Sequence, residues 1–154
     1  MASSREYPER PLVGVGGVVI ANERALLVRR GSEPLRGEWS IPGGMLELGE
    51  TLEQGVVREL LEETELEVQV IELIEVFDRI YTEGPDMGVN RPRFHYVIVD
   101  YLCEYISGKP RAGSDVTEVK FVREEELIQF HLTETATRIL HKAFAMQRSL
   151  RGAT

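Results

Sequence analysis

Residues 42–66 read PGGMLELGETLEQGVVRELLEETEL, and this stretch decides how the rest of the chain is read. Its C-terminal half holds Arg58-Glu59 and Glu62-Glu63. On a helix of 3.6 residues per turn, Glu59, Glu62 and Glu63 stand at i, i+3 and i+4 and share one face. Like charges at that spacing weaken an isolated helix by a few tenths of a kcal/mol. A hard divalent cation removes that cost and gains the oxygen ligands it prefers. On charge alone a solvated acidic face is the commoner outcome, so the residues before the helix decide between the two.

Those residues are informative. Pro42-Gly43-Gly44 is a turn signal, and glycine tolerates both positive φ and close approach of a ligand to the backbone. Thr51 is a good N-cap, and Gln54 three residues later completes a capping box. Leu52, Val56 and Leu60 follow at i, i+4 and i+8, with Val57 and Leu61 beside them, and make a stripe that must be buried. The expectation is a glycine loop opening an amphipathic helix, with a cluster of carboxylates one to two turns in.

The order Gly44, Glu50, Arg58-Glu59-Leu60, Glu62-Glu63, Glu65, Leu66 resembles the Nudix box, the signature of hydrolases acting on nucleoside diphosphates linked to another moiety. The box covers 23 of the 154 residues, and its fixed spacing makes it far more specific than a lone Glu-x-x-Glu-Glu. The resemblance implies an α/β/α sandwich with a mixed parallel and antiparallel sheet. It also implies that Glu59, Glu62 and Glu63 bind Mg²⁺ or Mn²⁺ and take part in catalysis. In the same reading the backbone of Gly43 or Gly44 helps hold a metal or phosphate, and Arg58 orients neighbouring carboxylates. The chain departs from the family at Glu65, where a glycine is usual. A left-handed residue commonly ends a helix there, and a Cβ in that conformation costs on the order of 1 kcal/mol. No expected ligand is lost.

Composition bounds the remaining classes. A chain of 154 residues with 42% hydrophobic and 29% charged content fits one soluble globular domain. A net charge of −8 argues against binding nucleic-acid polymers or anionic membranes, yet permits a small nucleotide substrate when metal ions supply positive charge. The one cysteine, Cys103, excludes an internal disulfide and reads as an inert core thiol. The N-terminus lacks the apolar core of a signal peptide, and no run is long enough to span a membrane. The expectation is a cytoplasmic protein with a flexible segment at 1–11 and a single domain over 12–150. The family often dimerises, so a homodimer is the partner assembly that the resemblance allows.

Along the chain, strands are expected at 12–21, 25–30 and 39–41, then 68–81, 94–106 and 116–122, with a turn at Asn22-Glu23. Asp78-Arg79 stands near an expected bend, and residues 82–93, rich in glycine and proline, read as a mobile loop. A short acidic helix is expected at 123–130. A last helix at 133–148 carries Ala136, Ile139, Leu140, Ala143 and Phe144 on one stripe. This pattern alone gives a mixed α/β protein with helices on both faces of a sheet.

Other residues invite chemistry less strongly. Arg29 and Arg30 close the second strand, and neighbours on a strand point to opposite faces. At most one of them should therefore face the site; the family resemblance, which often places a basic residue here, makes Arg29 the choice for a substrate-binding phosphate clamp, with a surface arginine the plain alternative. The stretch SDVTEVKFV resembles the region where family members carry one more acidic residue, with Glu118 the first choice as general base and Asp115 the second. Trp39, Phe77, Tyr81, Phe94 and Tyr96 read mainly as core or strand-face aromatics. His95, His131 and His141 show no metal-ligand spacing.

For substrate, the stretch LLVRRGSEPLRGEWSIPGG before the box resembles the small ADP-ribose pyrophosphatase-like branch. ADP-ribose or another nucleotide sugar is therefore placed first, and a nucleoside triphosphate or diadenosine polyphosphate second. Some ADP-ribose-cleaving members carry a proline about 15 residues past the box and dinucleoside-polyphosphate members a tyrosine. Here Tyr81 lies 15 and Pro85 lies 19 residues past Leu66, so neither pattern is met cleanly. A noncatalytic nucleotide-binding module of the same fold is the reading from a different class.

Overall fold

Asn22 and Glu23 both take positive φ, 51° and 62°, which is the backbone of a two-residue hairpin turn matched to strand twist. They join β1 (Leu12–Ala21) to β2 (Arg24–Arg30). The computed structural model describes residues 5–82 and 91–152. The remaining elements are β3 (Trp39–Ser40), β4 (Gly43–Met45), α1 (Leu52–Thr64), β5 (Glu67–Thr82), β6 (Pro92–Ser107), β7 (Val116–Arg123), a 3₁₀ helix (Glu124–Phe130) and α2 (Glu134–Gly152).

The sheet is mixed. β1 runs parallel to β6 from Leu12↔Tyr96 to Val19↔Cys103, and β6 pairs antiparallel with β5. On its other side β1 pairs antiparallel with β4. β2 leaves β1 beyond the hairpin tip and pairs antiparallel with β3 and β7. Alternation along β1 sorts its side chains to two cores. Val15 and Val19 pack with Val56 and Leu60 of α1. Val18 and Ile20 pack with Ile139, Leu140 and Phe144 of α2. Each such fully buried side chain contributes about 1.5–3 kcal/mol, so the two helices clamp the sheet from opposite sides. This is the expected α/β/α sandwich.

Several local expectations need correction. Gly43 and Gly44 do not form a turn: they are strand residues in register with Gly16 and Val15. No bend falls at Asp78-Arg79, since β5 runs through that pair, and its register shifts lie at 67/68, 70/72, 73/75 and 81/82. In the N-terminal segment the Tyr7 N–H donates to the Arg93 carbonyl of β6 at 2.7 Å, and Arg91 Nη2 donates to the Tyr7 carbonyl at 2.7 Å. The expectations for residues 1–4, for most of the 82–93 loop and for Pro85 lie outside the described residues. Among the described residues no helix is long and apolar enough to cross a membrane.

Helix α1 begins and ends as local chemistry dictates. Thr51 Oγ1 accepts the Gln54 N–H at 3.1 Å, and Gln54 Oε1 accepts the Thr51 N–H at 2.9 Å. At the other end Glu65 takes φ 59° and ψ 18°, and its N–H reaches the Leu61 carbonyl. The left-handed stop that favours glycine is thus present, with the strain absorbed by a residue that has a Cβ.

Candidate active site

Burial of Val56 and Leu60 sets the rotation of α1, which brings Glu59 against Gly44 and Glu63 against Gly43 of β4, with Glu62 more exposed beside them. Arg58 organises this face. Its Nε and Nη2 grip both oxygens of Glu50 at 2.6 and 2.9 Å, and Nη2 also donates to the Met45 carbonyl at 2.9 Å. Its Nη1 donates to Glu59 at 2.8 Å and to Glu62 at 3.2 Å. The planar guanidinium suits such forked contacts. It holds the Glu50 carboxyl down to about 2, helped by a backbone bond within the Glu47–Glu50 turn. In return Glu50 pushes the Arg58 pKa above its ordinary value.

The carboxylates behind Arg58 are crowded and half-buried. Burial raises the Glu59 pKa, with Arg58 opposing and Glu62 adding to the rise. Burial pushes Glu63 up to about 7, opposed by a bond from the Gly43 N–H at 2.8 Å and reinforced by Glu59. Gly44 explains why these glycines are needed in a strand: a Cβ there would collide with the Glu59 carboxylate, and one on Gly43 would strike the Val15 carbonyl. Close approach, of β4 to α1 at Gly44 and to β1 at Gly43, rather than positive φ, is their role.

These groups open onto a cavity of about 310 Å³, lined by Gly43, Gly44, Arg58, Glu59, Glu62 and Glu63 at one end. Arg30 and Asp115 also line it, whereas Arg29 and Glu118 do not. Arg29 and Glu118 are directly paired across β2 and β7 and meet each other at 3.6 Å on the exposed face. The alternation argument therefore holds with its phase reversed: Arg30 is the inward arginine, and its Nε donates to the Pro34 carbonyl at 2.6 Å. Burial lowers the Arg30 pKa, with Glu63, Tyr81 and Tyr96 opposing.

Sequence reasoning passed over other lining or supporting residues. Glu50, in the sequence only a position of the box, anchors Arg58. Asp100, a buried acid on β6, lines the cavity away from α1; its signal was a lone charge inside the apolar run FHYVIVDYLC. Trp39, Phe77, Tyr81 and Tyr96 line the cavity, while Trp39 also packs edge-on to Phe130 at 5.2 Å. Cys103 is buried, and burial pushes its thiol up to about 12, as an inert core cysteine requires.

The donor set on α1 is all oxygen, which suits a hard divalent cation. Among the described residues, however, no three metal-ligating side chains stand close enough to form a ready cage. The reason is visible in the bonds above: Glu59 and Glu62 turn to Arg58, and Glu63 turns to the Gly43 N–H.

A family model, the NUDIX domain, matches residues 10–144. An ADP-ribose pyrophosphatase of Methanocaldococcus jannaschii is 36% identical over 111 residues, covering 72% of this chain and 61% of that protein. A MutT-like protein of Streptomyces ambofaciens is 34% identical over 142 residues, covering 91% of this chain and 83% of its own length. Among solved structures, a MutT NUDIX hydrolase from Burkholderia pseudomallei superposes with a TM-score of 0.70 at 29% identity, covering 87% of this chain and 98% of that one. The match thus spans about three-fifths of the length of the Methanocaldococcus relative.

Proposed function

Because the chain belongs to the Nudix family, we propose that it is a metal-dependent hydrolase cleaving the pyrophosphate bond of a nucleoside diphosphate linked to another moiety. ADP-ribose or another nucleotide sugar is the favoured substrate, in keeping with the ADP-ribose pyrophosphatase relative. The observation that carries the reading is convergence: carboxylates from successive turns of α1 and the backbone of β4 meet at one end of a single cavity.

In this reading Glu59, Glu62 and Glu63 would hold Mg²⁺ or Mn²⁺. The bound cation supplies positive charge to the pyrophosphate and acidity to the attacking water. Arg30, inward and half-buried, grips a phosphate oxygen, the part first assigned to Arg29. The Gly43 N–H, now satisfied by Glu63, offers a backbone donor once that carboxylate reorients. Arg58 stays a positioning residue, because its forked hold on Glu50 leaves it fixed while Glu59 moves. A carboxylate accepts the proton of water; Glu59, Glu63 and Asp115 line the cavity and are favoured over Glu118, which pairs with Arg29 outside that lining. Proton acceptance is set by geometry before pKa.

The test is product identification with ADP-ribose, other nucleotide sugars, nucleoside triphosphates and diadenosine polyphosphates, each with Mg²⁺ and Mn²⁺. Nucleoside monophosphate plus a sugar phosphate is expected from a nucleotide sugar, and Glu62→Gln and Glu63→Gln are expected to abolish most turnover. Full turnover in both variants would sink the metal assignment. Tight binding without turnover across the panel would identify a binding module instead.

A further inference from the structure

The cavity has a second end. Past Gly16 and Pro42 it reaches the α2 side of the sheet, where Trp39, Phe77, Ile98, Thr135 and Asp100 line it. Asp100 is only 4% exposed, and among the described residues it makes no hydrogen bond or ion pair. The cations nearby are committed elsewhere. Arg79 Nη2 donates to Thr133 Oγ1 at 3.3 Å. Glu75, directly across the strand pair from Asp100, takes Arg138 at 2.7 Å and Lys142 at 3.5 Å. Gly16, its partner on β1, leaves room for the carboxyl: a Cβ there would collide with Asp100 Oδ1.

A nearly buried carboxyl with no protein partner is costly, and this one is accommodated by a glycine and opens onto a cavity that Trp39 and Phe77 also line. The group it lacks is a hydrogen-bonding ligand carried on a planar, largely apolar body, which describes a nucleobase. This end lies on the α2 side of the sheet, apart from the α1 carboxylates but in the same cavity, so a pyrophosphate and a base can occupy its two ends. Burial favours the neutral carboxyl, which presents one O–H donor beside one carbonyl acceptor. That pair complements an amino group beside a bare ring nitrogen. A carboxylate, with acceptors only, would instead complement two adjacent N–H groups.

We propose that Asp100 is a specificity-determining residue that reads the amino and ring-nitrogen edge of an adenine-type base. The proposal rests on the hydrolase reading above for its substrate, but not for its test, since binding is measured apart from turnover. Trp39 is the only tryptophan and lines the cavity, so its fluorescence reports occupancy by AMP or GMP without any hydrolysis.

The experiment compares wild type, Asp100→Ala and Asp100→Asn. Wild type is expected to bind AMP in preference to GMP. Asp100→Ala is expected to weaken AMP binding roughly tenfold or more and to erase the preference, since a site built for a hydrogen-bonded edge discriminates strongly. Asp100→Asn, whose amide keeps one donor and one acceptor, is expected to rescue most of that loss. With ADP-ribose the loss in Asp100→Ala is expected to fall on KM rather than kcat. An Asp100→Ala protein with wild-type affinity and preference would overturn the proposal, as would an Asn variant no better than Ala; either result would mean that water satisfies this carboxyl. Failure to turn over any pyrophosphate, with the AMP preference intact and dependent on Asp100, would overturn the hydrolase reading alone.

Discussion

Replacing Asp100 by asparagine isolates the cost of burying an ionisable group at the cavity floor. Burial pushes the Asp100 carboxyl from an ordinary 3.8 up to about 7, with Arg79 opposing and Glu75 reinforcing the rise. At 1.36 kcal/mol for each tenfold, that distance corresponds to about 4 kcal/mol. Below pH 4 the group is neutral in both folded and unfolded chains, and it costs nothing. Between about 4 and 7 the unfolded chain ionises while the folded one holds its proton, so stability falls as pH rises. Above 7 the whole cost is present. Asparagine never ionises, so the variant gains nothing near pH 4 and on the order of 4 kcal/mol at pH 8. For a chain of this size that is roughly 8–16 °C in Tm. Urea unfolding of both proteins at pH 4 and pH 8, at equal ionic strength, measures the difference, and the other carboxylates cancel because both chains share them. A stability difference that stays the same at the two pH values would refute the reasoning. So would an asparagine variant less stable than wild type at pH 8, because Asp100 would then be making a bond that asparagine loses.

Two further outcomes follow from the strand phase and the end of the helix. Arg30→Ala is expected to lower kcat/KM on a pyrophosphate substrate by at least tenfold, an order of magnitude for a lost charge-assisted bond, while Arg29→Ala stays within about threefold; steady-state kinetics on the two variants decide it, and equal losses would return Arg29 to the site. Glu65→Gly relieves a left-handed residue with φ 59° and is expected to raise stability by about 1 kcal/mol, less whatever the freer unfolded chain takes back; thermal melts check it, and a lowered Tm would show that the exposed contact to Arg111 at 3.6 Å outweighs the backbone strain.

The box was legible because its signals are local. A cap, a stripe and an i, i+3, i+4 face are all set within one helix, and each agrees with the others. Thr51, Gln54 and the left-handed position of Glu65 stand where the sequence put them, and the strands fall within a few residues of their expected ends. The glycines were harder, because Gly-Gly after proline carries the same signal for a turn as for a strand pressed against a helix. Only the Glu59 carboxylate over Gly44, fifteen residues further along the sequence, distinguishes them.

Arg29 and Arg30 show a different limit. Strand alternation says that at most one arginine faces the site, but choosing which needs a phase, and a phase needs one wet face. In β2 every residue from Ala25 to Val28 is buried, because α1 covers one side and α2 the other. Both faces read as apolar, so the run gives no phase to carry forward. The pairing with β7 also shifts register between Arg29 and Arg30, at the point where the extrapolation would be made. The same double burial hid Asp100. On a strand with one wet face a single acid would mark the solvent side, whereas on β6, covered on both sides, it marks a cavity. A lone charge inside a run buried on both faces thus points to the cavity it lines, a signal that the box does not contain.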